Sequence, residues 1–300
     1  MEFEVIIIGG SYAGLQAGMT LGRALRKVLI IDSGNPCNAQ TPHSHNFLTR
    51  DGETPAAITK VALEQLKAYN TVQLLHGKAV KGEKYDKGFS VTTEAGETFT
   101  AKKLIITTGI KDLMPEIPGV AACWGISVIH CPYCHGYEVA KQPTGILGNG
   151  EGGFETVKLI QHWTKDLTLF TNGPCSLTDE MVAQVKKKNI NIIETPVKAI
   201  IHDKGYLSAV ELADGTKVPL KAVYARLPFI QHSDIPAQLG CELTESGHIK
   251  VADFGKTSVE GVYAAGDNCS MLRGVPNAVA AGLAAAAFLN REMIWDEFDA

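Results

Sequence analysis

Phe3-Glu4-Val5-Ile6-Ile7-Ile8-Gly9-Gly10-Ser11-Tyr12-Ala13-Gly14 reads as an apolar strand running straight into a glycine-rich turn. A continuous apolar run of this kind fits a strand buried on both faces of a parallel sheet. A helical pattern follows to about Lys27, then a second apolar strand, Val28 to Ile31, closed by Asp32. The unit is strand, helix, strand, with its glycines in the first turn. Such a turn aims backbone N–H groups at a pyrophosphate where the helix dipole favours an anion. Gly9, Gly10, Ala13 and Gly14 let the backbone come close, and Ser11 stands where the middle glycine of the usual pattern would be. Serine is small and can donate a hydrogen bond. Asp32 has the spacing of an acid that bonds a ribose hydroxyl. Without a ligand the same residues are a tight turn and nothing more.

The same layout recurs further along. Thr144 to Leu147 reads as a strand, Gly148-Asn149-Gly150-Glu151-Gly152-Gly153 as the turn, then a helix through about Trp163 and a strand from Leu167 to Phe170. This second turn has all three glycines but no reader after it. Its strand runs into Thr171-Asn172-Gly173, with neither an acid for NAD nor an arginine for the phosphate of NADP. The turn holds a nucleotide loosely, holds something else, or is kept for packing. A length of 300 residues suits two domains at roughly 150 residues each. The expected fold class is α/β, with two dinucleotide-binding, Rossmann-like, three-layer domains, the second inserted in the first. Residues 1–112 and 246–300 are the expected first domain and 113–245 the insertion. Between the two glycine turns the sequence predicts a helix capped by Thr54 with Pro55 in its first turn. Short strands are expected at Val72–Leu75, Phe89–Thr93, Thr98–Thr100 and Leu104–Ile106, the last leading into Thr107-Thr108-Gly109. Pro115, Pro118 and Gly119 mark one crossing, and the polar, glycine-bearing stretch from Pro236 to Gly247 the other. A strand Gly261–Ala264, the run Ala265-Gly266-Asp267 and a helix starting near Asn277 complete the pattern.

Composition narrows the function. The chain has 28 basic and 32 acidic residues, for a net charge of −4, so it carries no basic field of the kind that binds nucleic acid. The longest weakly polar run, Ala278 to Leu289, stops at Asn290 and Arg291, short of a bilayer span. Glu2 and Glu4 stand where a secretory signal needs basic residues. The expectation is a cytoplasmic chain with no nucleic-acid and no membrane partner.

Of seven cysteines, only Cys131 and Cys134 lie close together, in Cys131-Pro132-Tyr133-Cys134-His135. Two thiols one turn apart can close a disulfide, and His135 beside them can exchange a proton near neutral pH. Three readings compete with redox chemistry. Zinc would need two more ligands, and only His130 and His135 flank the pair. The run also spells the attachment motif of c-type haem, which belongs to exported proteins. Inert core thiols fit poorly with so polar a segment. No metal set is expected. His43 and His45 precede Asn46 in the polar loop Thr41–Gly52 and read as lining the first nucleotide site. His76, His162, His202, His232 and His248 have no companions at ligand spacing.

Together these residues resemble the low-molecular-weight thioredoxin reductase family of flavoproteins, over nearly the whole chain. The Gly9–Gly14 turn, Thr107-Thr108-Gly109, Ala264-Ala265-Gly266-Asp267 and a CxxC just before the second glycine turn carry the resemblance. It implies that the first domain binds FAD through Gly9, Gly10, Ser11, Ala13, Gly14, Asp32, Gln40, His45, Asn46, Val80, Thr108, Gly109, Gly266, Asp267, Asn277 and Ala278. In that scheme Asp267 bonds the ribityl chain. Asn277 and Ala278 start a helix aimed at the pyrimidine edge of the flavin. The resemblance makes Cys134 the thiol facing the flavin, Cys131 the one that exchanges with an outside dithiol or disulfide, and His135 the acid–base group where ordinary members have aspartate.

The run Cys131–Glu138, the Ser11-bearing turn, the loop His45-Asn46-Phe47 to Asp51-Gly52 and the Thr171-Asn172-Gly173 turn resemble one branch in particular. It contains the gliotoxin-type dithiol oxidases of fungi and their bacterial relatives. That branch oxidises dithiols and passes electrons from flavin to oxygen. The arginine stretch that reads the NADPH phosphate in ordinary reductases is missing at Thr171–Pro174, and a later glycine turn reads Ala225-Arg226-Leu227-Pro228. Both changes weaken the case for NADPH. The resemblance thus implies an FAD-dependent dithiol oxidase using oxygen, acting on a small dithiol or disulfide or on a thioredoxin-like protein, as a homodimer. The alternatives are a protein disulfide reductase fed by NADPH or ferredoxin, and a flavin-binding redox sensor without turnover.

Overall fold

Parallel strands need crossover segments long enough to hold a helix, and helices follow the strands Glu2–Ile8, Val28–Asp32, Thr144–Leu147 and Leu167–Phe170. The computed structural model describes residues 2–300. It divides into two units: residues to Ala39 with 47–111 and 229–300 form the first, and 40–46 with 112–228 the second.

The first unit starts with β1 (Glu2–Ile8), α1 (Tyr12–Arg23), β2 (Val28–Asp32), α2 (Pro55–Leu66) and β3 (Val72–His76). Its three strands lie parallel in the order β3-β2-β1. Alternate residues of these strands face opposite sides, and both sides are covered. Val5, Ile7 and Ile30 pack with α1, whereas Ile6, Ile8, Leu29 and Ile31 fill a second core. That double burial is why β1 and β2 are apolar throughout rather than alternating. Thr54 caps α2, its Oγ1 accepting from the Ala57 N–H at 3.2 Å, with Pro55 in the first turn. Next come β4 (Ala79–Tyr85), β5 (Gly88–Thr93), β6 (Thr98–Ile106) and β7 (Ile110–Asp112).

The sequence divides Thr98–Thr100 from Leu104–Ile106, yet β6 is one unbroken strand. Its first half pairs antiparallel with β5 and most of its length pairs parallel with β1, so the ladder continues through the polar residues Lys102 and Lys103.

The second unit holds α3 (Val120–Cys123), β8 (Val128–Ile129), α4 (Pro132–His135), β9 (Thr144–Leu147), α5 (Gly150–Ile160), β10 (Leu167–Phe170), α6 (Asp179–Lys187) and β11 (Asn191–Ile193). An antiparallel sheet of β12 (Val197–Asp203), β13 (Tyr206–Leu212) and β14 (Lys217–Pro219) follows, then β15 (Ala222–Ala225). The parallel sheet runs β11-β10-β9-β15-β8. The fold class is as expected: two Rossmann-like α/β units, the second inserted in the first.

The return to the first unit falls at Phe229, upstream of the crossing expected between Pro236 and Gly247. Here β16 (Phe229–Gln231) pairs with β7, and α7 (Ile235–Gln238) packs on β4. Ile235 is fully buried in the core of the first unit, and Gln238 accepts from the Gly82 N–H at 2.8 Å. Ile235, just ahead of the polar stretch, already belongs to the core of the first unit. The chain ends in β17 (Val262–Ala264), parallel to β6, and α8 (Val275–Asp299). Among the described residues no helix is long and apolar enough to cross a membrane.

Candidate functional site

The turn between β1 and α1 is held from three sides. The Gly9 N–H donates to the Ile31 carbonyl at 2.8 Å, and the Gly10 N–H to Asp32 Oδ1 at 2.9 Å. Thr107 Oγ1 donates to the Ile8 and Gly9 carbonyls at 3.0 and 2.7 Å. Gly9 has φ +106°, and a Cβ there or on Gly14 would run into backbone oxygen, so neither position tolerates a side chain. No side chain caps α1, which leaves its first-turn amides for a ligand. Thr108 Oγ1 is buried with no hydrogen-bond partner. An open glycine cradle, an uncapped helix and an orphaned hydroxyl in one unit fit the diphosphate-bearing cofactor that the sequence implies.

The remaining candidates sort between the units. Val80 lies at the register shift between β4 and β5, and its carbonyl accepts from Gln238 Nε2 at 3.1 Å. Gly109 (φ +66°) and Gly266 (φ +95°) turn the chain where β6 and β17 end. The Asp267 carboxylate sits 3.4 Å from Arg273 Nε and 4.0 Å from Cys37 Sγ. Next to it burial, with the charge of Asp267, pushes the Cys269 thiol up to about 12. Asn277 donates to the Leu272 carbonyl at 2.7 Å and to Ser270 Oγ at 3.3 Å, tying down the loop before α8. The Ala278 N–H closes the first turn of that helix on the Gly274 carbonyl at 3.0 Å. Gln40, His45 and Asn46, by contrast, belong to the second unit. Gln40 Nε2 donates to the Trp124 carbonyl and, at 3.0 Å, to that of Ala121. Asn46 is left-handed at φ 62°.

In the second unit Cys131 is the N-cap residue of α4 and Pro132 opens its first turn. Cys131 and Cys134 are joined as a disulfide, with their Cα atoms 5.3 Å apart. The His135 N–H donates to the Cys131 carbonyl at 3.2 Å. Burial lowers the basicity of the His135 imidazole, the Glu138 carboxylate partly restores it, and His45 lowers it again. His45 Nε2 lies 3.5 Å from Glu138 Oε1. Glu138 stands in the turn that follows α4, three residues after His135. Tyr133, between the two cysteines, is 62% exposed and meets Trp163 edge-on with centroids 5.5 Å apart. Trp163 also lines a cavity of about 360 Å³ with Lys141, His162, Thr164, Lys165 and Asp166. Among the described residues no group of His, Cys, Asp and Glu is arranged to hold a metal ion.

The second glycine turn differs from the first most tellingly at its second residue. Asn149 occupies the place of Gly10, and its side chain folds back onto the turn. Its Oδ1 accepts from the Gly150 and Ser176 N–H groups at 2.8 and 2.9 Å. Its Nδ2 donates to the Thr171 and Pro174 carbonyls at 3.3 and 2.9 Å. The carboxamide thereby fastens the segment 171–176 over the N-terminus of α5. Only the fold brings those two segments together, so no sequence signal announced it.

Two Rossmann-like units, one with an open glycine cradle and one with a CxxC disulfide beside a half-buried histidine, define a nucleotide-binding disulfide oxidoreductase. The family model described as pyridine nucleotide-disulphide oxidoreductase matches residues 3–282, and the chain belongs to that family as a thioredoxin reductase-like member of the gliotoxin-type branch. The thioredoxin reductase tcpT of Claviceps purpurea is 33% identical over 98% of this chain and 95% of its own length. The crystal structure of HlmI superposes with a TM-score of 0.93 at 33% identity, covering 99% of this chain and 94% of that one. An oxidoreductase from Agrobacterium tumefaciens gives a TM-score of 0.92 at 32% identity, over 98% and 99% of the two chains. The family implies a flavin as the cofactor.

Proposed function

We propose that the protein is an FAD-dependent dithiol oxidase that takes electrons from a small dithiol through Cys131 and Cys134 and passes them to oxygen. The observation that carries this reading is the self-closure of the second glycine turn by Asn149, whose side chain takes the helix N-terminus that a dinucleotide would need. The segment 171–174 it fastens holds no cation for a nucleotide phosphate. The thiol route is the one left well equipped.

A substrate thiolate attacks Cys131 Sγ. The Cys131–Cys134 bond breaks, and Cys134 leaves as a thiolate. His135, half-buried and by that burial held neutral near pH 7, accepts the proton of the attacking thiol. The second substrate thiol then attacks the mixed disulfide at the substrate sulfur. The substrate leaves as a disulfide and Cys131 as a thiolate, so the two electrons lost by the substrate now sit in the enzyme dithiol. FAD, when bound, supplies the two-electron acceptor for that dithiol and the carrier that delivers the pair to oxygen as hydrogen peroxide. Gly9, Gly10, Ser11, Ala13, Gly14, Asp32, Val80, Thr108, Gly109, Gly266, Asp267, Asn277 and Ala278 would hold it. Within this reading the chain works in the cytoplasm as a homodimer.

The test mixes oxidised protein with NADPH, or with a small dithiol, in the absence of oxygen and follows the flavin absorbance. The reading expects bleaching by the dithiol and none by NADPH, then peroxide on admission of air. Rapid bleaching by NADPH would overturn it in favour of a second reading, a protein disulfide reductase. The three glycines Gly148, Gly150 and Gly153 and the similarity to the thioredoxin reductase tcpT of Claviceps purpurea favour that alternative.

A further inference from the structure

Tyr133 sits between the two cysteines of the redox turn, yet it is 62% exposed. With consecutive Cα atoms about 3.8 Å apart, its Cα lies no more than about 7.6 Å from that of Cys131. Apolar side chains exposed singly need no explanation, but the orientation of this one is held. The Trp163 indole meets it edge-on at 89°, with centroids 5.5 Å apart. The indole is fixed in its turn. A Cβ on Gly136 would come within 2.9 Å of its Cδ1 and Nε1, so it packs straight onto the backbone of the redox segment. The His162 ring meets it edge-on at 5.1 Å, and the Trp163 carbonyl accepts from the Lys141 N–H at 2.9 Å. Lys141 makes that bond from the left-handed region, at φ 61°, a conformation that costs any residue with a side chain. All of these residues belong to the second unit.

We propose that Tyr133, oriented by Trp163, is the platform on which the substrate lays a flat apolar ring, so that the substrate class is a small dithiol with an aromatic body. The inference rests on the dithiol chemistry proposed above and names its substrate. A pair of rings gains from stacking or edge contact beyond the area it buries, and a tyrosine gives up little conformational freedom in making it. Trp163 is also a wall of the cavity of about 360 Å³ shared with Lys141, His162 and Lys165. That volume is at the small end of the range that takes small molecules, about 300–1,000 Å³. It suits the substituents of a small molecule rather than the face of a folded protein. In the exchange the substrate gives up two electrons and two protons and its sulfurs join as a cyclic disulfide. The Cys131–Cys134 disulfide becomes the dithiol. Tyr133 touches the body of the substrate and takes no part in the exchange, and Trp163 positions it.

The experiment uses the flavin-loaded protein and two probes, benzene-1,2-dimethanethiol and butane-1,4-dithiol. Both close to six-membered cyclic disulfides, and only the first carries an aromatic ring. The readout is the ratio of kcat/KM for the first probe to that for the second, from anaerobic flavin bleaching. Intrinsic thiol reactivity cancels when variants are compared through this ratio. Tyr133→Ala should lower it about fivefold, the size of one aromatic contact, through KM for the ring-bearing probe. Tyr133→Phe should keep it. Trp163→Leu should lower it in the same way, and Trp163→Phe should retain most of the wild-type value. An unchanged ratio in Tyr133→Ala would overturn the platform, and so would an equal loss on both probes, the mark of a distorted redox turn. An unchanged ratio with slower bleaching by a reduced thioredoxin would give the ring to a protein interface instead. If neither probe bleaches wild type, the dithiol oxidase reading itself falls. Binding of the bis-S-methylated form of benzene-1,2-dimethanethiol, followed by saturation-transfer NMR, then decides the platform alone. Weaker binding to Tyr133→Ala than to wild type supports it, and equal or absent binding refutes it.

Discussion

Cys131 and Cys134 are equivalent in the motif but not in the turn that carries them. Cys131 stands at the N-cap of α4 and Cys134 inside it, so substitution should separate their roles. Cys134→Ser leaves no disulfide for a substrate thiolate to attack, and a small dithiol should then no longer bleach the flavin anaerobically. The remaining Cys131 thiolate should capture a substrate-type disulfide as a stable adduct, visible as added mass on the intact protein. Bleaching at the wild-type rate would remove Cys134 from the pathway. Asn149 makes the opposite kind of prediction, a gain. With glycine in its place the four hydrogen bonds to Gly150, Ser176, Thr171 and Pro174 are gone and the turn matches the open one at Gly10. Asn149→Gly should raise the rate of anaerobic bleaching by NADPH at least about tenfold, a change of about 1.4 kcal/mol, over whatever rate wild type shows. An unchanged rate would mean that Asn149 is not what closes the turn. The CxxC and the glycines were legible because their spacing is local. Asn149 was not, because it matters through partners that only the folded chain delivers.

At the scale of elements, α8 joins the candidate flavin cradle to the core. Its first turn carries Asn277 and Ala278. Gly282 packs where a Cβ would strike the Ala13 carbonyl, and Ala285, Ala286 and Leu289 are fully buried. Further along, Glu292 accepts from Lys103 at 2.7 Å, Lys256 at 2.8 Å and the Tyr263 hydroxyl at 3.0 Å. Burial alone would raise the Glu292 pKa, but the hydrogen bonds from Lys103, Lys256 and Tyr263, with the Lys103 charge, outweigh it and hold the carboxyl at about 2. A folded pKa below the unfolded one stabilises above the unfolded value and ceases to do so as pH falls through the folded one. Glu292→Gln should therefore cost about 2 kcal/mol near neutral pH. The gap from wild type should close as pH drops from about 4.5 towards 2, as checked by urea denaturation across that range. A gap that persists undiminished at pH 2 would assign the loss to shape rather than charge. The sequence showed α8 as a helix through its small, apolar residues. It hid the anchor, since Lys103 and Glu292 lie on elements that are distant in the chain.

For the whole molecule, the duplicated strand–turn–helix pattern was enough to give two units and their nesting, because parallel strands and glycine turns repeat a local signature. The return crossing was not, because a boundary is defined by which core a segment joins. The sequence assigns residues 229–245 to the inserted domain, yet Ile235 is fully buried with its Cγ2 close against Gly82, where an added Cβ would lie only 2.7 Å away. Truncating it opens a cavity in the core shared with Phe3, Ile6, Phe89 and Ile249, at a cost of about 2–5 kcal/mol. If these residues belong to the first unit, Ile235→Ala should speed hydrogen exchange of the slowest amides in β1, β5 and β6, by about 30-fold for each 2 kcal/mol lost. Amides of β9, β10 and β15 should keep their wild-type rates, and flavin retention should fall. Faster exchange in β9 and β15 with an undisturbed β6 would return the segment to the inserted unit. The same measurement read on Gly9 and Thr107 would report how far the cradle depends on a residue with no part in the glycine motif.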